Sequence, residues 1–135
     1  MKKLVLSLVA LLVLVNFTYA NTDFTGGIKK NAIASLVVGI KSENMGLKRN
    51  CIYFAGKYRI DEATDALIAE LNKTDNAKIK VLISLSLYMI GNEEGIDAVY
   101  KLANKESDNY VKRMANAIID EYNNNKITNY ASVSK

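Results

Sequence analysis

The densest groups able to do chemistry are two carboxylate clusters, Asp61, Glu62 and Asp65, then Glu93, Glu94 and Asp97. Aligned across neighbouring elements, they would offer oxygen ligands to a hard cation such as calcium. The same residues at the starts of two helices need no ligand, because acidic side chains favour the positive end of the backbone dipole. That second reading is the default. Cys51 is the single cysteine and falls on an apolar stripe. In an exported chain a lone thiol could be reactive or link two molecules, but a small buried hydrophobe explains it more simply. Histidine is absent, which removes the commonest general base, the Ser/His and Cys/His pairs and most transition-metal sites. The expectation is a protein that is not an enzyme and holds no cofactor or metal.

Lys48, Lys80 and Lys112 recur at one spacing, with Arg49 and Arg113 beside two of them. They form either a basic strip for an anionic surface or, by default, solvated side chains and a ladder of pairs with Asp65 and Asp97. The balance of charge is otherwise undemanding. Met1 to Ala20 reads as a secretory signal peptide: Lys2 and Lys3 start it, Leu4 to Val15 is its apolar run, and Thr18-Tyr19-Ala20 is its cleavage site. Losing Lys2 and Lys3 lowers the formal net charge of +4 by two. Nucleic-acid binding is disfavoured by both charge and destination. Export to the periplasm or the extracellular space follows, with no stable membrane insertion after cleavage. Asn72-Lys73-Thr74 fits the N-glycosylation pattern, which matters only in a eukaryotic pathway and so not behind this bacterial-looking leader.

The elements that position these groups come from a repeat. Leu47-Lys48-Arg49, Ile79-Lys80-Val81 and Val111-Lys112-Arg113 lie 32 residues apart, and Glu62-Ala63-Thr64-Asp65-Ala66-Leu67 lies 32 residues before Glu94-Gly95-Ile96-Asp97-Ala98-Val99. Each copy opens on Asn44, Asn76 or Asn109, a residue type that caps helices. Val81 to Ile90, VLISLSLYMI, is ambiguous alone, but its equivalents follow helical spacing: Leu47, Cys51, Phe54, Ala55 and Tyr58, then Val111, Met114, Ala115, Ile118 and Tyr122. The central segment is therefore also a helix, apolar on nearly every side and flanked by neighbours. Ser84 and Ser86 are expected to return their hydroxyls to the carbonyl four residues back.

In chain order, 21–27 is a flexible arm and 28–122 is the repeat domain. First comes a helix near 28–41, with Ile33, Leu36, Val37 and Ile40 on one stripe. Helices follow near 47–57, 62–72 with Asp61 as cap, 77–90, 93–104 and 110–122. Residues 123–135 are expected to be a disordered tail.

Phe54-Ala55-Gly56 through Leu71 and Tyr88-Met89-Ile90-Gly91 through Leu102 resemble the short HEAT-like repeats also called PBS-lyase or EZ-HEAT repeats. The family's Ala-Val-Pro-x-Leu becomes Ala63-Thr64-Asp65-Ala66-Leu67 and Gly95-Ile96-Asp97-Ala98-Val99, with aspartate in place of proline. Its Val-Arg becomes Leu47-Lys48, Ile79-Lys80 and Val111-Lys112, and lysine lacks the planar fork of arginine, so ion pairs between repeats should be weaker. The resemblance implies an all-α fold, a short right-handed α-solenoid of helix pairs, with first helices on the convex side and second helices on the concave side. It also implies two activities with little support here. Iron-holding His-Glu pairs of HEAT-repeat hydroxylases are excluded by the missing histidine, and nothing distinguishes a bilin lyase.

On that geometry Ile68 and Tyr100 share one repeat position on the concave side, and Val37 joins them if its helix is shifted by one residue. Together they would form an apolar groove for a protein or peptide partner, against the plainer reading of packing between second helices. Tyr53, Tyr58 and Tyr88 read as core or boundary residues. The expected function is an exported, non-enzymatic scaffold. The alternatives are a self-assembling subunit stacking through its end helices, with Val111 and Met114 at one end, and an accessory subunit of a lyase-like enzyme.

Overall fold

The computed structural model of the chain describes residues 30–133. The expected leader at 1–20, the arm at 21–27 and the first turn at 28–29 lie outside the described residues. Six α-helices follow in order: α1 (Lys30–Ile40), α2 (Met45–Lys57), α3 (Thr64–Lys73), α4 (Ala77–Ile90), α5 (Glu93–Lys105) and α6 (Asn109–Val133). A 3-10 turn, Asp61–Ala63, leads into α3. No strand occurs among the described residues.

The repeat governs how each odd-to-even connection is made. Asn44 accepts from the backbone N–H of Gly46 and Leu47, and Asn76 from those of Lys78 and Ile79. In the third copy the cap is Asp108, not Asn109: its carboxylate accepts from Tyr110 and Val111 N–H, and Asn109 is already helical. The register is thus unbroken through 44, 76 and 108, because aspartate supplies the same acceptor as asparagine. Two residues upstream, Ser42, Thr74 and Glu106 each accept from the cap's own N–H, at 3.0–3.2 Å. Left-handed residues also recur in register, at Arg59 (φ 50°) and Gly91 (φ 81°), where α2 and α4 end.

At the start of the second helices the two copies differ. Asn92 caps α5 by accepting from Gly95 N–H, whereas Ile60, one repeat earlier, caps with no side-chain bond. Asp61 is not a cap; it accepts instead from Asn92 Nδ2 at 2.6 Å, while Thr64 Oγ1 accepts from the same amide at 2.7 Å. These bonds tie the start of α5 to the start of α3.

Helix α4 packs against α2, α3, α5 and α6, and α2, the 3-10 turn and α3 receive α1. Ile79, Ile83, Ser84, Ser86 and Leu87 of α4 are buried, as are Ile52, Ala55, Leu67 and Val99 around it. The central helix is sheltered as expected, except for Leu85 and Met89, which stay exposed. Ser84 returns its hydroxyl to Lys80 O at 2.9 Å. Ser86 does not do the same: its hydroxyl crosses to Ile52 O on α2, at 2.8 Å. The crossing is that close because Gly56 has no side chain, and a Cβ there would stand 2.7 Å from Ser86 Cα.

Helix α6 runs past Tyr122, where the tail was expected to begin, to Val133. Hydrogen bonds from Tyr100 and to Tyr88 hold its extension against the body. Tyr100 donates its hydroxyl to Asn123 Oδ1 at 3.0 Å, and Asn125 Nδ2 donates to Tyr88 Oη at 3.0 Å.

Candidate functional site

An open groove of about 820 Å³ lies between α3 and α5. Its floor is apolar, made by Ile68 and Leu71 of α3 with Ala98 and Leu102 of α5. Asp65 and Glu94, in the first turns of these helices, stand at one end with Asp97 just beyond them, and Lys101 and Lys105 lie toward the other. Asp97 and Lys101 face each other at 2.6 Å, both largely exposed, so each remains available to solvent or to a ligand. Asp65 and Glu94 leave the first end acidic, and Lys105 leaves the second basic. The groove thus joins an apolar strip to charges of opposite sign at its two ends.

Of the three residues expected to make this surface, only Ile68 lines the groove. Tyr100 turns toward α6 and spends its hydroxyl on Asn123, and half-buried Val37 packs against the core on the side of α1. The shared repeat position of Ile68 and Tyr100 does not give a shared environment, because α5 has a long neighbour in α6 and α3 does not. Ala98 and Leu102, not singled out in the sequence, complete the floor. Their helical spacing of four from each other was the available signal.

The lysine ladder exists with other partners. Lys48 Nζ meets Glu70 at 2.5 Å and Lys80 Nζ meets Glu106 at 2.5 Å, not Asp65 and Asp97. The two helices of each pair run antiparallel, so the start of α2 or α4 lies beside the end of the second helix, where Glu70 and the C-cap residue Glu106 stand, and not beside its beginning, where the aspartates are. Lys48 and Lys80 therefore belong to no exposed basic strip. Lys80 first, then the N–H of Asp108, holds the Glu106 carboxyl below the usual carboxylate range. A lowered pKa stabilises the fold above the ordinary value of glutamate, and that contribution is lost as pH falls through the lowered one. Lys80→Met should move the Glu106 titration upward in an NMR pH series and flatten the acid limb of stability; an unmoved titration contradicts the pairing.

Cys51 is buried against Gly39 of α1, and burial pushes its thiol up, away from the reactive thiolate. Among the described residues no group of three or more carboxylate or thiol side chains converges to hold a metal ion. At the end of the chain proposed for stacking, Val111 is buried and Met114 half-buried, so these two do not form a bare apolar end.

Tyr53 and Tyr58 are not core residues. With Phe54 they form an exposed cluster on α2, the ring centroids 5.6 Å apart for Tyr53 and Phe54 and 5.9 Å for Phe54 and Tyr58. Lys57 Nζ sits 5.7 Å and 5.5 Å from the Tyr53 and Tyr58 ring centres. Only Tyr88 is at a boundary, as expected. No family model matches the chain, and no curated protein or solved structure matches it either.

Proposed function

We propose that the protein is an exported, non-enzymatic binding module, a short α-solenoid of HEAT-like helix pairs that holds a peptide segment of a protein partner in the groove between α3 and α5. The observation that carries this reading is the pairing of an apolar floor, Ile68, Leu71, Ala98 and Leu102, with opposite charges at its two ends. A segment lying along the floor would set its own basic group near Asp65 and Glu94 and its acidic group near Lys105, and so bind in one direction. The unbroken 32-residue register of caps and left-handed turns supports the repeat reading.

Peptides selected on the protein from a random library test it. They should share a basic-apolar-acidic order, shift the NMR resonances of Ile68, Ala98 and Leu102, and lose about tenfold or more in affinity for Ile68→Asp, a half-buried hot-spot change, with helicity intact. Selected peptides that bind Ile68→Asp as well as the wild type, or that perturb a different surface, would sink the proposal.

A further inference from the structure

The two layers of helices are joined unequally. Gly56 lets α2 close on α4, where a Cβ would stand 2.7 Å from Ser86 Cα, and the Ser86 hydroxyl bonds across that contact to Ile52 O. In the other layer α3 and α5 are tied at their starts, where Asn92 donates to Asp61 and Thr64, and the groove opens between them along the rest. Its walls are therefore two helices running the same way, with Asp65 and Glu94 in their first turns and Lys105 in the last turn of α5.

What such a groove can hold depends on backbone as much as on side chains. Both walls spend their N–H and C=O groups within their own helices, so no strand edge faces the groove, and the floor of Ile68, Leu71, Ala98 and Leu102 presents only carbon. Asp97 and Lys101, midway along α5, are paired with each other. An extended segment pressed onto this floor would bury N–H and C=O groups with nothing to pair them. A helix brings its backbone already paired and presents a stripe of side chains instead. Glu94 and Lys105 stand eleven residues apart on α5, about 16 Å at about 1.5 Å per residue, which three turns of a bound helix would match.

Charge then fixes which way the helix runs. A helix is stabilised by acidic side chains in its first turn and basic ones in its last. The groove favours a basic group at the starts of α3 and α5 and an acidic one beside Lys105. Both conditions are met together only when the bound helix runs against α3 and α5, its C-terminal carbonyls beside their N-terminal turns. We infer that the groove takes an amphipathic helix of about three turns, acidic at its N-terminus and basic at its C-terminus, lying antiparallel to α3 and α5. The basic-apolar-acidic order along the groove then runs from the ligand's C-terminus to its N-terminus. This inference rests on the peptide reading of the groove and adds the conformation and direction of the ligand.

A synthetic peptide of about twelve residues, with Glu in its first turn, Leu at i, i+3, i+4 and i+7, and Lys in its last turn, tests it when titrated into the full chain. It should shift the NMR resonances of Ile68, Ala98 and Leu102 and become helical by circular dichroism as it binds. A nitroxide on its N-terminus should broaden the amides of Lys105 and Ser107 and spare those of Asp65 and Glu94. Proline at its centre, which an extended segment accepts and a helix does not, should weaken binding at least about tenfold. Broadening at Asp65 and Glu94 instead, or equal binding by the proline peptide, overturns the inference while leaving the groove a binding site. A groove unmoved by this peptide overturns it too, and whether the groove then binds any segment at all is read separately from the library peptides.

Discussion

Glu70→Ala should lower the stability of the fold by about 3–5 kcal/mol, the cost of leaving a buried charge without its partner. The Lys48 and Glu70 side chains are 7 % and 3 % exposed and meet at 2.5 Å. Truncating Glu70 strands the ammonium of Lys48 between α2 and α3, where water cannot replace the lost carboxylate. Against a typical total of about 5–15 kcal/mol for a domain, that loss is a large fraction. The pair itself need not be strongly stabilising, since desolvating two ions offsets much of their attraction. Lys48→Met combined with Glu70→Leu should therefore recover most of the lost stability or exceed the wild type. Urea denaturation followed by circular dichroism measures both. A Glu70→Ala cost under about 1 kcal/mol, the range of exposed pairs, would mean that Lys48 swings out to solvent and that the pair is not buried in solution. Lys101 and Asp97, at 67 % and 60 % exposed, provide the internal comparison, and their separation should change stability little.

Ile83→Ala should cost about 2–5 kcal/mol, the range of large-to-small substitutions in well-packed cores. Ile83 is fully buried on α4, the one helix that packs against α2, α3, α5 and α6 together. Removing its branched side chain leaves a void in the middle of the core, where no solvent can enter, so relaxation recovers little. Leu85→Ala, two residues on but on the exposed strip, should cost less than half as much. Equal losses at 83 and 85 would show that α4 is not held as described.

The helical class and five of the six helix positions are legible in the residues because hydrophobic periodicity and a fixed offset of 32 reinforce each other. The first helix of each copy could vote on the ambiguous VLISLSLYMI. Contacts across helices are less legible. Lys48 and Lys80 point to an ion-pair ladder, but the partner of each is set by the antiparallel run of the helix pair, which places the end of the second helix, not its start, beside the lysine. Glu70 and Glu106 do not share a repeat position, so no alignment of the copies pairs them. Glu106 also replaces Ser42 and Thr74 in the turn, a substitution visible only once the turn's hydrogen bonds are seen. The extension of α6 rests on Tyr100 and Tyr88 meeting Asn123 and Asn125, contacts that an asparagine-rich stretch does not announce. For the groove, Ile68 is readable from its repeat position. Tyr100 is not, because the same position in the last pair faces α6.

Asn92 and Ser86 show how the copies are joined beyond apolar burial. Asn92 reaches from the start of α5 to Asp61 and Thr64, and Ser86 reaches from α4 to the Ile52 carbonyl. Each bond spans one copy to the next, so the helix pairs share polar contacts as well as a core.

Native-state hydrogen exchange along the chain tests most directly whether α4 is the shared centre on which both neighbouring pairs depend. Amides of α4 from Ile83 to Leu87 should exchange only through global unfolding, with the free energy of urea denaturation, while α1 and the last turns of α6 open earlier. Exchange in α4 that runs ahead of α2 or α6 would contradict it.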